Sequence, residues 1–373
     1  MRKIFFILFL LCNFFLQAQE YFLLVGTYTS GKSEGIYVYR FNTKTGDAEH
    51  VYTAKGISNP SYLAIASSGK YVYSVNENGG KSPAQISSFA FNQKNGTLTF
   101  LNSQLSGGDG PCYVSVHPSG KWVIAGNYSG GSLAAFPVSA HGSLQPYSQS
   151  IQHTGKSANE MRQEKAHVHA TVFSPDNKFV LVPDLGMDKI MNYRFNMKSV
   201  KPLSAATIPF IKTEPGSGPR HLEFHPNQKY MYLIEELTGM VVGYKYEGGK
   251  YSLLQQISSH PDDFTGVKGS ADIHVSPDGK FLYASNRGDA NNIAIFSIDK
   301  KTGKLKTMGF QSTLGKTPRN FMIDPSGNYL LVANQQSDNI VIFKIDPGTG
   351  LLTETGNQIE VPNPVCLKMI KAN

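Results

Sequence analysis

The stretch that decides the fold is PDGKFLYASN at residues 277–286: a Pro-Asp-Gly turn, a short run rich in Phe, Leu and Tyr, and a closing Asn286. Five segments align with it: SSGKYVYSVN (67–76), PSGKWVIAGN (118–127), PDNKFVLVPD (175–184), PNQKYMYLIE (226–235) and PSGNYLLVAN (325–334). Successive starts lie 51, 57, 51, 51 and 48 residues apart, which marks an internal repeat. Every copy ends on a polar residue: Asn76, Asn127, Asp184, Glu235, Asn286 and Asn334.

Working outward, each repeat has one grammar. A strand led by Pro, as at 219–224, precedes the turn. A third strand follows the quoted run, as in IAIFSI (293–298) and IVIFKI (340–345), and a weaker fourth follows a polar turn. The runs are short and lack a helical period. Four strands in about fifty residues is a propeller blade. The chain ends supply the remaining blade. Residues 364–370 read as a first strand without successors, while 21–26 and 35–39 read as second and third strands without a first. The expectation is an all-β, seven-bladed propeller with four-stranded blades, closed by the two termini sharing one blade. A solenoid would not need complementary half-repeats at its ends.

Composition agrees. Of 373 residues, 40% are apolar and 17% charged, which excludes a disordered chain. Three cysteines exclude a disulfide scaffold, and Cys112 and Cys366 read as small buried apolar residues. Residues 1–18, with Arg2 and Lys3 before an apolar run, read as a secretory signal peptide, leaving 19–373 as a single domain. Cys12 follows Leu11 rather than a small residue, so it does not read as a lipidation site. Removing Arg2 and Lys3 takes the formal charge from +8 to +6. No Lys/Arg-rich run occurs, so the nucleic-acid footprint is missing, while small anions remain compatible partners.

Simple hairpin pairing brings the start of each first strand against the end of the second. Arg220 and Glu235 are equidistant from the turn at Asn227 and Gln228 and are expected to face each other. The first-strand set is Ser61, Cys112, His169, Arg220, Ala271 and Arg319, expected to ring one mouth of the channel with the six strand-ending residues. Asn at a strand end is ordinary terminator chemistry, but His169, Arg220, Arg319 and Glu235 depart from the repeat toward ionisable groups. Arg287, following Asn286, also reaches a mouth position, and Asp272 lies one residue inside it. His167 and His169 share a spacing that two metal ligands could use, but no third ligand accompanies them, and no metal is expected.

GPRHLEFHPN (218–227), ADIHVSPDG (271–279), HVH (167–169) with VPDLG (182–186), and LVGTY (24–28) resemble the lactonase family of seven-bladed propellers. That family includes bacterial 6-phosphogluconolactonases and fungal carboxy-cis,cis-muconate cyclases. The resemblance covers essentially the whole chain after residue 18 and implies hydrolysis of a sugar-type lactone without a cofactor. It places His169, Arg220, Glu235 and Arg287 as catalytic residues, with Glu236 a rival to Glu235 and Arg319 a rival to Arg287. Asn76, Asn127, His167, Asp184, His221, Asp272, Asn286, Arg319 and Asn334 are the candidates for substrate contact. The expected partner is a small lactone, anionic or neutral, met by a monomer with no membrane attachment after signal removal. Phosphorylated sugar lactones are cytosolic, whereas the N-terminus reads as an export signal. The alternatives are therefore an exported periplasmic or secreted propeller that binds a ligand or protein, or a lactone-forming cyclase.

Overall fold

A computed structural model describes residues 20–373; the expected signal peptide lies outside the described residues. Seven four-stranded antiparallel sheets are arranged as blades. Their innermost strands are Pro364–Lys371, Leu63–Ile65, Pro111–Val116, Val172–Phe173, Pro219–Phe224, Ser270–Val275 and Pro318–Ile323. Among the described residues the one helical element is a 3₁₀ turn at Gln335–Ser337.

The apolar runs quoted above form the second strands, and their lack of alternation has a physical cause. Each second strand is covered on both faces by neighbouring blades, so residues of both parities are buried. Phe281–Asn286, Tyr230–Glu235 and Trp122–Asn127 are buried throughout. Alternate residues serve different neighbours. Tyr230, Tyr232 and Ile234 pack with Ile273, Leu282 and Phe296 on one side. Met231 and Leu233 pack with Leu181, Ile190 and Leu222 on the other. The core is thus a set of interlayers between blades, each stabilised by apolar burial worth about 25 cal/mol per Å².

The first turn repeats closely. In the quoted copy Asp278 Oδ1 accepts from Ser276 Oγ at 2.7 Å and from the Lys280 amide at 3.1 Å. The third turn residue is left-handed, and Gln228 at φ 62° takes the position that Gly279 holds at φ 73°.

The termini share a blade, ordered Pro364–Lys371, Glu20–Thr27, Gly35–Asn42, Ala48–Lys55. Leu24 pairs with Lys368 and Val25 with Leu367. The closing strand is pinned to both neighbours: the Leu63 amide donates to Cys366 Sγ at 3.3 Å, and the Leu367 amide to Asn320 Oδ1 at 2.7 Å. Cys112 and Cys366 are both buried free thiols. The blade containing His169 departs from the pattern. Its innermost strand shrinks to Val172–Phe173, with one isolated bridge between Val168 and Asp184, because the segment 153–167 forms a long loop beside the mouth.

Candidate active site at the channel mouth

The expected facing of Arg220 and Glu235 does not occur. Pro219 pairs with Glu235 and His221 with Ile234, so Arg220 is the extra residue of a β-bulge. The same irregularity recurs at Pro111/Tyr113 and Pro318/Asn320, and leaves Cys112 and Arg319 out of the ladder. A bulge bends its strand and re-aims the extra side chain. The residues that meet these side chains are therefore one position beyond the strand-ending polar residues: Tyr28, Glu77, Tyr128, Glu236 and Arg287.

Glu236 is the centre of the cluster. Its Oε2 accepts from Arg220 Nε at 2.9 Å and lies 3.0 Å from Arg287 Nη2. Its Oε1 accepts from Arg162 Nη2 at 2.6 Å. His169 Nε2 lies 3.9 Å from Oε2. Burial opposes ionisation of Glu236, but the Arg287, Arg220 and Arg162 guanidiniums outweigh it and hold the carboxyl well below the usual range. Burial, reinforced by Arg220, His221 and Arg319, pushes His169 well below its ordinary value, so its imidazole is neutral at pH 7. Burial lowers Arg287 to about 10, against the pull of Glu236, and it stays charged. Three guanidiniums around one carboxylate leave surplus positive charge at the mouth.

A second group completes the rim. Tyr28 Oη donates to Glu77 Oε2 at 2.8 Å, and Ser61 Oγ donates to the same oxygen. Arg319 lies 5.4 Å over the Tyr28 ring and has no hydrogen-bond or ion-pair partner among the described residues. Tyr128 stands edge-on to His169 and accepts from Arg162 Nη2 at 3.2 Å.

Glu235 is turned away from this cluster. Its Oε2 accepts from Thr238 Oγ1 at 2.6 Å, its Oε1 is buried without a partner, and burial pushes it up to about 7. The strand-ending asparagines are also not part of the mouth. Asn76 donates to the Ser58 carbonyl, Asn127 to Ser106, Asn286 to Ser259 and Asn334 to Thr313. Each carbonyl precedes the innermost strand of the same blade, so these amides tether the incoming loop. Asn76 lines a cavity of about 470 Å³ among Tyr52, Phe89 and Phe100, away from the charged cluster. Asp184 accepts from His153 Nδ1 at 2.7 Å and from the His167 and Gly186 amides, and so organises the long loop. His167 stacks on Tyr128 and contacts Glu164 at 3.1 Å, while His169 meets the same ring edge-on and turns Nε2 to Glu236, so the two imidazoles face different carboxylates. His221 and Asp272 lie below the mouth, against a cavity of about 350 Å³ at the other end of the channel.

Sequence reasoning missed Arg162, Glu77, Tyr128 and Tyr28, and treated Glu236 as a rival only. One signal was available for most of them. The Asn286-Arg287 step, read in every repeat, points to Glu77, Tyr128 and Glu236. Arg162 has no repeat equivalent, because it comes from the long loop.

Comparison with known proteins agrees with this architecture. A family model described as "Lactonase, 7-bladed beta-propeller" matches residues 22–369. A 6-phosphogluconolactonase of Formosa agariphila is 40% identical over 349 residues, covering 93% of this chain and 99% of the relative. A 6-phosphogluconolactonase of Bacillus subtilis is 37% identical over 353 residues, covering 94% and 99%. The solved periplasmic gluconolactonase of Pseudomonas aeruginosa superposes with a TM-score of 0.90 at 38% identity, covering 95% of this chain and all of that one. With the blades, the closure and these matches in agreement, the chain belongs to the lactonase family of seven-bladed β-propellers.

Proposed function

We propose that this protein hydrolyses a sugar-type lactone at the channel mouth. The observation that carries the reading is Glu236 held by Arg162, Arg220 and Arg287 beside a neutral His169. The relatives named as 6-phosphogluconolactonases and a gluconolactonase support the substrate class.

The reaction adds water to the ring carbonyl and breaks its bond to the ring oxygen. His169 is the base, because an unprotonated imidazole can take the water proton. Glu236 is too strongly held as an anion to be an effective base, so it orients the water and fixes the guanidiniums. Arg287, beside Arg220, faces the carbonyl oxygen as negative charge develops there. The ring oxygen leaves with the proton carried by His169, and the product is an aldonate with one proton released at neutral pH. Arg319, whose guanidinium is unpaired, anchors a distal anionic group such as a phosphate. The apolar N-terminal run and the periplasmic relative support an exported site, for which an unphosphorylated aldonolactone is the accessible substrate.

Proton release in a pH-stat on glucono-1,5-lactone and 6-phosphogluconolactone, corrected for spontaneous opening, tests this. Turnover lost in Arg287→Ala and Glu236→Gln is the expected result. Background rates on both lactones would overturn it. Arg319→Ala is expected to raise KM for the phosphorylated lactone more than for the neutral one.

A further inference from the structure

Beneath the mouth, an unbroken run of polar contacts descends through the channel. Arg220 Nε is committed to Glu236, and Arg220 Nη1 donates to the Ala271 carbonyl at 2.5 Å while facing His221 Nε2 at 3.4 Å. A guanidinium nitrogen has only protons to offer, so His221 Nε2 must present its lone pair. The ring proton is then on Nδ1, which donates to Asp272 Oδ1 at 2.8 Å. Asp272 Oδ2 accepts from His274 Nε2 at 3.0 Å and from Asn320 Nδ2. His274 Nδ1 in turn contacts Glu223 Oε2 at 2.5 Å. His274 lies between two carboxylates with an N–H for each, which fits an imidazolium, and the first carboxylate is fully committed as an acceptor.

We infer that His221 and Asp272 are positioning residues that hold Arg220 for the reaction through a neutral, Nδ1-protonated imidazole, and that neither touches substrate. Three facts converge on this. Both side chains are buried below Arg220 and His169, with the His221 ring 5.2 Å from that of His169. His221 is fixed edge-on against Tyr62 and Tyr113, so it cannot swing to the mouth without breaking that packing. Asp272 is held by two acceptor bonds on Oδ2 and by its own amide, which donates to Ser285 Oγ at 3.0 Å, so Oδ1 is left as a fixed acceptor for Nδ1–H. Protonation of Nε2 would turn an N–H on Arg220 and displace the guanidinium. A misplacement of about 1 Å costs on the order of 100-fold in rate.

The inference rests on the proposed hydrolysis for its kinetic readout, but not for its spectroscopic one. Nitrogen-15 histidine spectra report the tautomer, and the Arg220 Nη1–H resonance reports whether His221 holds the guanidinium. In the wild type, His221 is expected as the Nδ1–H tautomer with a protected Arg220 Nη1–H. Asp272→Asn and His221→Leu should lose that protection and fall roughly 100-fold in kcat/KM, mostly in kcat. His221→Gln should recover to within about tenfold, because the amide oxygen can accept from Arg220 and the amide nitrogen can donate to Asp272. An Nε2–H or doubly protonated His221, or Asp272→Asn with full activity and an intact Arg220 signal, overturns the inference. So does His221→Gln as inactive as His221→Leu, since His221 would then be moving its own proton. Absence of lactone turnover in the wild type would refute the proposed function alone; the tautomer and the Arg220 signal would still decide the positioning role.

Discussion

Two adjacent glutamates have opposite environments, and exchanging each for glutamine separates the candidate site from the scaffold. Glu235 is 2% exposed, and burial moves it from an ordinary 4.5 to about 7. Between those values the folded chain holds a proton that the unfolded chain has released. Stability therefore falls as pH rises through that window, and the full penalty is present above it. At 1.36 kcal/mol per tenfold shift, it amounts to about 3 kcal/mol. Glu235→Gln removes the ionisable group while its amide oxygen keeps the acceptor for Thr238. It should stabilise the protein by up to about 3 kcal/mol at pH 8, or roughly 4 °C in a chain of this size, and by nothing near pH 4. Glu236→Gln acts in the opposite sense. It leaves the guanidiniums of Arg162, Arg220 and Arg287 facing a neutral amide. Breaking such a buried cluster costs about 3–5 kcal/mol, and lactone turnover should disappear with it. Thermal unfolding of both variants at pH 4, 6 and 8, with pH-stat assays on the same preparations, measures the contrast. A Glu235→Gln effect independent of pH, or an activity loss equal to that of Glu236→Gln, would refute the assignment of the two carboxylates.

Arg162→Ala removes the most exposed arm of the clamp; it should leave thermal stability within about 1 kcal/mol and move the acid limb of the pH–rate profile to higher pH, as the Glu236 carboxyl is held less far below its ordinary range. Asn286→Ala deletes the donor to the Ser259 carbonyl and the acceptor for Ser259 and Ser270, and should cost about 1–3 kcal/mol in denaturant unfolding with kcat unchanged. Truncation before Pro364 strips the innermost strand from the closing blade and bares the edge of Glu20–Thr27; loss of a single cooperative unfolding transition is expected in calorimetry. Burial pushes the Cys112 thiol far up and Cys366 to about 11, so native protein should resist iodoacetamide at pH 8 while unfolded protein reacts.

The sequence by itself determined the blades, their number and their closure. That information is local: a Pro-Asp-Gly turn and an apolar second strand recur in each copy, and the half-repeats at the two ends can only complete each other. It also picked out His169, Arg220 and Arg287, three of the ionisable side chains that gather around Glu236. Only the tertiary structure decided between neighbours one residue apart. A bulge at Pro219/His221 adds a residue to one strand of the hairpin, so counting from the turn put Glu235 where Glu236 meets the guanidiniums. The same slip assigned Asn76, Asn127, Asn286 and Asn334 to the mouth, when their amides bind loop carbonyls. Arg162 was illegible because it crosses to Glu236 from a non-repeating loop 74 positions away, and no local pattern encodes such a reach. The chain from Arg220 through His221 and Asp272 to His274 joins side chains of different blades. It exists because ring closure brings their innermost strands together around one axis, a condition met only by the assembled propeller.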